Sequence, residues 1–294
     1  MENRLLLIVN TRKPTALELA YKLMGWSKKK GIAFVAPSHE SAMLGLPEYD
    51  WNISANPVDF GIVLGGDGTF LRAARMVMDY DIPLYGINVG RLGFLATGNP
   101  QKAEEEIEKI LSGGYRIQKR RMLKGSVTRK GNLVHVLYAL NDLVVTKGPL
   151  ARLIEVESRV NDYFLSLFPA DGIIVSTPTG STAYALSAGG PILPPHVDAM
   201  VMVPICPHTL YARPLVLGPD DMISLIPKSD QKEIYLTQDG QLGYELMIKD
   251  RIDISLAKDK NVLTIELLED NYFDLLREKL QWGNVSIRQG EEEW

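Results

Sequence analysis

Residues 65–69 read Gly-Gly-Asp-Gly-Thr, between an apolar run, Phe60 to Leu64, and a helical stretch, Phe70 to Met78. Glycines at a strand-to-helix turn permit positive φ and let a ligand approach the backbone. The following helix presents free N–H groups and the positive end of its dipole, which suits phosphate. Asp67 changes that chemistry. A carboxylate repels phosphate, so it makes sense as a base that takes a proton from a hydroxyl, or as a Mg²⁺ ligand beside a polyphosphate. A plain turn with Asp67 or Thr69 as N-cap stays open. Two familiar phosphate patterns fail: no Lys follows Gly68 as a Walker A loop requires, and the third glycine of the dinucleotide fingerprint falls on Leu71.

Three further segments carry chemistry. In YGINVGRLGFLATG (85–98), Phe94 is either a core residue or an aromatic wall for a flat ring. In ALNDLVV (139–145), the pair Asn141-Asp142 interrupts an apolar strand, at a cost unless it is hydrogen-bonded. It is a bulge or turn, or a reader of a vicinal diol or amide, since Asn offers donor and acceptor and Asp two acceptor oxygens. In FPADGIIVSTPTGSTAYALSAGGPILPP (168–195), Asp171 precedes a strand and Ser176, Thr177, Thr179, Ser181 and Thr182 crowd one loop. Helix capping accounts for two of those hydroxyls and leaves the others for a ligand. No G-x-S-x-G elbow makes a serine nucleophile, and Lys28-Lys29-Lys30 reads as a solvated helix end.

The elements that must position these residues follow from the pattern of apolar runs. Leu5–Val9, Ile32–Ala36, Phe60–Leu64 and Pro83–Ile87 read as strands. Helices are expected after Pro14, over Phe70–Met78 and over Gln101–Leu111. Strands alternating with helices imply a parallel α/β sheet. Past Gly113-Gly114 the runs become short and β-rich, as in GSVTRKGNLVHVLYALNDLVV with a turn at 130–132, and LVLGPDDMISLI with a turn at Gly218–Asp221. Both read as hairpins. A late helix is expected over Asn271–Leu280, returning to the first domain, with EEEW as a frayed or contact tail. The expected fold is an α/β N-terminal domain plus a mostly antiparallel β C-terminal domain. Its expected boundaries are 1–118, 119–268, and 269–294 for the returning helix and tail.

Composition removes several classes. With 32 Lys plus Arg against 36 Asp plus Glu, the net charge is −4, too acidic for a general nucleic-acid coat. Cys206 alone excludes an intramolecular disulfide framework, and His39, His135, His196 and His208 show no metal-ligand spacing. No apolar run approaches the ~18 residues of a membrane span, and the N-terminal apolar stretch is too short for a signal peptide. The expectation is a soluble cytoplasmic protein with no nucleic-acid or membrane partner.

Taken together, the motifs resemble the NAD kinase family, bacterial branch. The resemblance rests on GGDGT at 65–69, NVGRLGFLA at 88–96, the Asn-acidic pair at 141–142, DGIIVSTPTGSTAYALSAGGPI at 171–192, PHTLYARPLV at 207–216 and DGQ at 239–241. It implies Mg²⁺-dependent phosphoryl transfer from ATP, or polyphosphate, to the 2′-hydroxyl of the adenosine ribose of NAD. It implies Asp67 as base and Gly65, Gly66, Gly68 and Thr69 as the phosphate loop. It implies NAD contacts at Gly68, Arg72, Phe94, Asn141, Asp142, Arg152, Asp171, Gln241 and the stretch Thr182, Ala183, Tyr184, Ala185, Leu186 and Ser187. The metal ligands stay unassigned. The resemblance also implies a homotetramer or dimer. Two positions depart from the family: Asp142 replaces the usual Glu, and Pro169 stands where Arg is common. The competing readings are a lipid kinase of the diacylglycerol kinase type and an NAD-binding sensor without turnover.

Overall fold

The computed structural model describes residues 3–51, 57–148, 153–228 and 233–282. The apolar runs of the first third form strands because they are covered on both faces, as a parallel sheet requires. These are β1 (Arg4–Val9), β2 (Ala33–Val35), β3 (Phe60–Gly65) and β4 (Leu84–Asn88). They alternate with α1 (Pro14–Lys30), α2 (Ser38–Leu44), α3 (Asp67–Val77) and α4 (Ala103–Leu111). The pairs β1–β2, β1–β3 and β3–β4 are parallel. Helix α2 was not foreseen; its seven residues are too few for a periodic signal.

The regular structure in the rest of the described chain is strand, apart from a 3₁₀ turn at Gly180–Thr182 and two helices. The strands are β5 (Tyr115–Arg129), β6 (Asn132–Ala139), β7 (Asp142–Lys147), β8 (Ile154–Val160), β9 (Tyr163–Ala170) and β10 (Gly172–Ser176). After α5 (Tyr184–Ser187) come β11 (Met200–Ile205), β12 (Leu215–Leu217), β13 (Ile223–Pro227), β14 (Ile234–Gln238), β15 (Leu242–Leu246) and β16 (Arg251–Leu267). Helix α6 (Tyr272–Leu280) closes the described chain, with the Asn271 side chain accepting from Phe273 N as its cap.

Two sheets result. A ten-stranded sheet runs β2-β1-β3-β4-β16-β13-β8-β9, with β5 on β16 and β6 on β5. A six-stranded antiparallel sheet runs β12-β11-β10-β7-β14-β15. One apolar core lies between them, with Leu123, Ile252 and Ile254 from the first sheet and Leu143, Val145 and Ile173 from the second. Strand β16 joins the two halves of the molecule. It pairs antiparallel with β13 and β5, and meets β4 in parallel at Thr264 and Leu84.

The turn at 130–132 is a hairpin, with Lys130 and Gly131 both at positive φ. The segment LVLGPDDMISLI is not. Asp221 N donates to Gly218 O as the turn predicts, but β12 lies in the six-stranded sheet and β13 in the ten-stranded one. Turn residues record that the chain reverses, and they carry no record of which sheet receives it.

Candidate active site

The loop 65–68 leaves the carboxyl end of β3, the end at which open α/β sheets bind ligands. Gly66 is the N-cap of α3, so Asp67 lies in the first turn and is not itself the cap. Its carboxylate faces the loop that follows β4. Oδ2 accepts from Phe94 N at 2.9 Å, and Oδ1 accepts from Leu95 N at 3.0 Å and Ala96 N at 3.1 Å. A carboxylate has about four lone-pair sites. Three are filled, which leaves one open on Oδ2. A Cβ on Gly93 would lie 1.9 Å from Asp67 Oδ1, so only glycine lets the loop close on the carboxylate.

Beside the glycine loop is a cavity of about 660 Å³ lined by Gly66, Gly68 and Thr69 together with Arg12, Lys13, Arg72 and Arg75. Arg72 and Arg75 share a face of α3 with Gly68, at i+4 and i+7 from it. Arg72 Nη2 donates to Val9 O at 3.1 Å and pairs with the fully buried Glu40. A larger cavity, about 770 Å³, lies among α1, residues 88–101 and α6. Its charged lining is Glu18, Lys22 and Glu278, a poor match for a polyanion. Arg12, Lys13, Arg72 and the N-terminus of α3 make the smaller cavity the better match for a polyanion.

Asn141 lies in the break between β6 and β7 and Asp142 opens β7, both buried. The segment is held by Asp239, whose carboxylate accepts from Asn141 N at 2.7 Å and from Leu140 N and Asp142 N at 3.3 Å. Asn141 Oδ1 is buried with no partner. No hydrogen bond from a described residue reaches the Asp142 carboxylate. Burial, and then the charge of Asp239, push it up to about 7. Burial also raises Asp239, while its three N–H donors and Arg75 act the other way. Tyr184 is half-exposed; burial and then the charges of Cys206, Asp171 and Asp142 raise its phenol. Tyr184 therefore shares one neighbourhood with Asp142 and Asp171, next to the segment 182–187. Asp171 pairs with Lys147 at 3.1 Å.

The hydroxyl-rich loop is more structural than expected. Ser176 donates to Asn141 O, Thr177 to Leu140 O at 2.6 Å, Ser181 to Pro178 O at 2.7 Å, and Thr182 to Thr179 O. Four of the five hydroxyls thus bond the backbone, where two were expected to. Gly180 is required there, since its Cβ would lie 2.2 Å from Asn141 O. Phe94 lines a different cavity, of about 280 Å³, with Arg120, Tyr272 and Leu275, and Lys279 Nζ lies 5.7 Å from its ring centre. Gln241 donates to Gly68 O at 2.8 Å. Arg152 lies outside the described residues.

Arg12, Lys13, Arg75 and Asp239 were not foreseen as site residues. A signal existed for each. Arg12 and Lys13 follow β1 as the glycine loop follows β3, Arg75 is one helical turn past Arg72, and Asp239 stands in DGQ.

Residues 5–115 match the family described as ATP-NAD kinase N-terminal domain, and residues 140–267 the one described as ATP-NAD kinase C-terminal domain. A protein of Citrifermentans bemidjiense named NAD kinase is 40% identical over 285 residues, covering 95% of this chain and 99% of its own. One of Moorella thermoacetica, with the same name, is 40% identical over 284 residues, covering 95% and 90%. In fold, the chain is similar to a yeast NADH kinase solved with NADH (TM-score 0.88, 24% identity, 98% of this chain and 90% of that one). It is also similar to an Archaeoglobus fulgidus NAD kinase solved with ATP (TM-score 0.71, 24% identity, 96% and 99%).

Proposed function

The chain belongs to the NAD kinase family, and we propose that it carries a phosphoryl group from ATP to the 2′-hydroxyl of the adenosine ribose of NAD with Asp67 as base. The observation that carries this reading is the single open lone pair of Asp67. It lies at the end of β3, next to the basic cavity, on a loop tied through Gln241 to the turn that holds Asn141 and Asp142. The ribose hydroxyl donates its proton to Oδ2. The γ-phosphoryl group approaches from the cavity, where Arg12, Lys13 and Arg72 offset the charge that develops on its oxygens and ADP is left behind, while the Arg75 guanidinium is turned to Gln241 and Asp239. Arg72, expected on the dinucleotide, is proposed here on the donor side, a reading supported by its place in that cavity. The orphaned Asn141 Oδ1 and the Asp142 carboxylate accept from the dinucleotide's hydroxyls or amide. Tyr184 and Asp171 flank it, and Gly68, Phe94, Arg152, Gln241 and Thr182–Ser187 stay proposed contacts. That the similar yeast and Archaeoglobus proteins were solved with NADH and with ATP supports a two-ligand cleft.

Mg²⁺ fits as an ion carried by the phosphates. No cluster of three or more His, Cys, Asp or Glu able to hold a metal exists among the described residues, so the phosphates would supply most of its ligands. Mg²⁺ usually binds through one or two carboxylates plus substrate phosphates. When bound, it neutralises phosphate charge. The division of the chain near 118 and 268, a cytoplasmic location and a homotetrameric or dimeric state are part of the same proposal. No described helix is long and apolar enough to cross a membrane. The test is a coupled assay with NAD and ATP–Mg²⁺, read by an NADP-specific dehydrogenase. NADP formation is expected, and its absence with NAD still bound would favour a sensor.

A further inference from the structure

Arg75 and Asp239 lie where the donor loop meets the acceptor segment. Asp239 and Gly240 occupy the β14–β15 turn at positive φ, and Gln241 N donates back to Gln238 O. This geometry aims the Asp239 carboxylate inward, where it gathers the N–H groups of residues 140–142. Arg75 reaches the same turn from α3. Its Nη1 stands 3.7 Å from Asp239 Oδ2, and its Nη2 donates to Gln241 Oε1. Gln241 returns a bond to Gly68 O at 2.8 Å. Two turn residues, Asp239 and Gln241, with Arg75 of α3 between them, therefore hold the Asn141-Asp142 segment on one side and the glycine loop on the other.

We propose that Arg75 and Asp239 are positioning residues that set the register of the phosphate loop against the acceptor-binding segment. The proposal rests on the reading of Asp67 and Asn141-Asp142 as two sides of one reaction. In-line phosphoryl transfer gains its rate from alignment, and a misplacement of about 1 Å costs as much as ~100-fold. Loss of the Arg75–Asp239 contact loosens the turn from α3 while leaving in place the groups proposed to meet the substrates: Asp67, the cations Arg12, Lys13 and Arg72, and the Asn141 and Asp142 side chains. The defect should therefore fall on kcat more than on either KM. A residue that only stabilises the fold would lower Tm and leave the kcat of the folded enzyme unchanged.

The experiment is a cycle of Arg75→Gln, Asp239→Asn and the double variant, with Arg75→Lys as the conservative variant. Each is measured for Tm, kcat, and KM for NAD and for ATP. Each single variant is expected to lower kcat ~10- to 100-fold, with both KM values within about threefold of wild type. The double variant should lose much less than the product of the two singles, because the Arg75–Asp239 contact is absent from all three. Arg75→Lys should recover most of kcat. Singles with kcat within about twofold of wild type, whatever their Tm, would overturn the proposal, as would a double whose loss is the product of the two. Should Asp239→Asn fail to fold, the Gln and Lys variants at 75 decide it. Asp67→Asn in the same assay separates the two failures: if it is fully active, the site reading itself is wrong.

Discussion

Asp67 has two tasks, and any substitution touches both. Asn keeps its size but turns an acceptor oxygen into an NH₂ group, facing the N–H donors of residues 94–96. Asp67→Asn is therefore expected to lower kcat ~10²–10⁴-fold, the range for loss of a general base, and also to lower Tm. Gly93→Ala separates the two tasks. It pushes the same loop away from the carboxylate without removing it, and should lower Tm with a smaller loss of kcat. Equal kcat losses would mean that Asp67 acts only as an anchor. Asp142 gives a pH prediction. Its folded value of about 7 lies above the ordinary carboxylate value of ~3.9, so between those limits the folded state holds more protons than the unfolded. Stability from this group is full at low pH and is lost as pH rises toward 7. Asp142→Asn has no charge to bury, so its Tm relative to wild type should rise between pH 5 and pH 8. Melts at the two pH values check this, and a relative fall would refute it. With its acceptor oxygens removed and the donors of NAD left unpaired, Asp142→Ala should raise KM for NAD by roughly ten- to a hundredfold. At 4% exposure there is little space for one more methylene, so Asp142→Glu should raise it too. Metal dependence belongs to this scale as well: with no acidic cluster among the described residues to retain the ion, EDTA should abolish activity, and full activity in chelator would contradict a phosphate-borne Mg²⁺.

The loops that carry the site show which parts of it are legible in a sequence. The glycine loop was legible because a parallel strand buried on both faces has a continuous apolar signature, and its carboxyl end is where ligands bind. Asn141-Asp142 was legible because polar residues inside an apolar run demand an explanation. The partners of these residues were not, because they depend on long-range contact. Nothing near position 239 says that its carboxylate will cap the N–H groups of residues 140–142, about a hundred residues earlier. Nothing near Arg72 says that a buried Glu40 claims it. Strand β16 was missed for a related reason: its register shifts between Leu256 and Asn261, and the alternation that marks a strand breaks there. The hydroxyl loop was over-read toward ligand binding, since side chain–backbone bonds leave the same composition as a binding loop. Gly180 tests that structural role. Gly180→Ala places a methyl against Asn141 O, and overpacking of this kind costs about 1–3 kcal/mol. Lower Tm and a raised KM for NAD are expected together. An unchanged KM would separate this loop from the acceptor site.

At the scale of the whole molecule, two sheet edges are unusually apolar. Strand β9 ends the ten-stranded sheet, pairs only with β8 among the described strands, and exposes Tyr163, Phe164, Leu165 and Leu167. Among the described strands, β6 pairs only with β5, and it exposes Leu133, Val134 and Val136. Open edges with apolar side chains are aggregation hazards unless something covers them. A second copy is the simplest cover, and a two-fold contact places the same patch on both subunits. One such patch gives a dimer. Two separate patches, each closed by its own two-fold axis, give a tetramer with dihedral symmetry. The edges β6 and β9 lie on different branches of the sheet, so the expected state is the tetramer, four times the 32.7 kDa subunit. Light scattering at micromolar concentration measures it directly. The variant Phe164→Arg places a charge on one edge alone. It should stop at the dimer, held by β6, with the other interface and the fold intact. A wild type that elutes as one subunit would overturn the assembly altogether. A Phe164→Arg protein that remains tetrameric would show that β9 faces solvent and that its aromatic residues need another explanation.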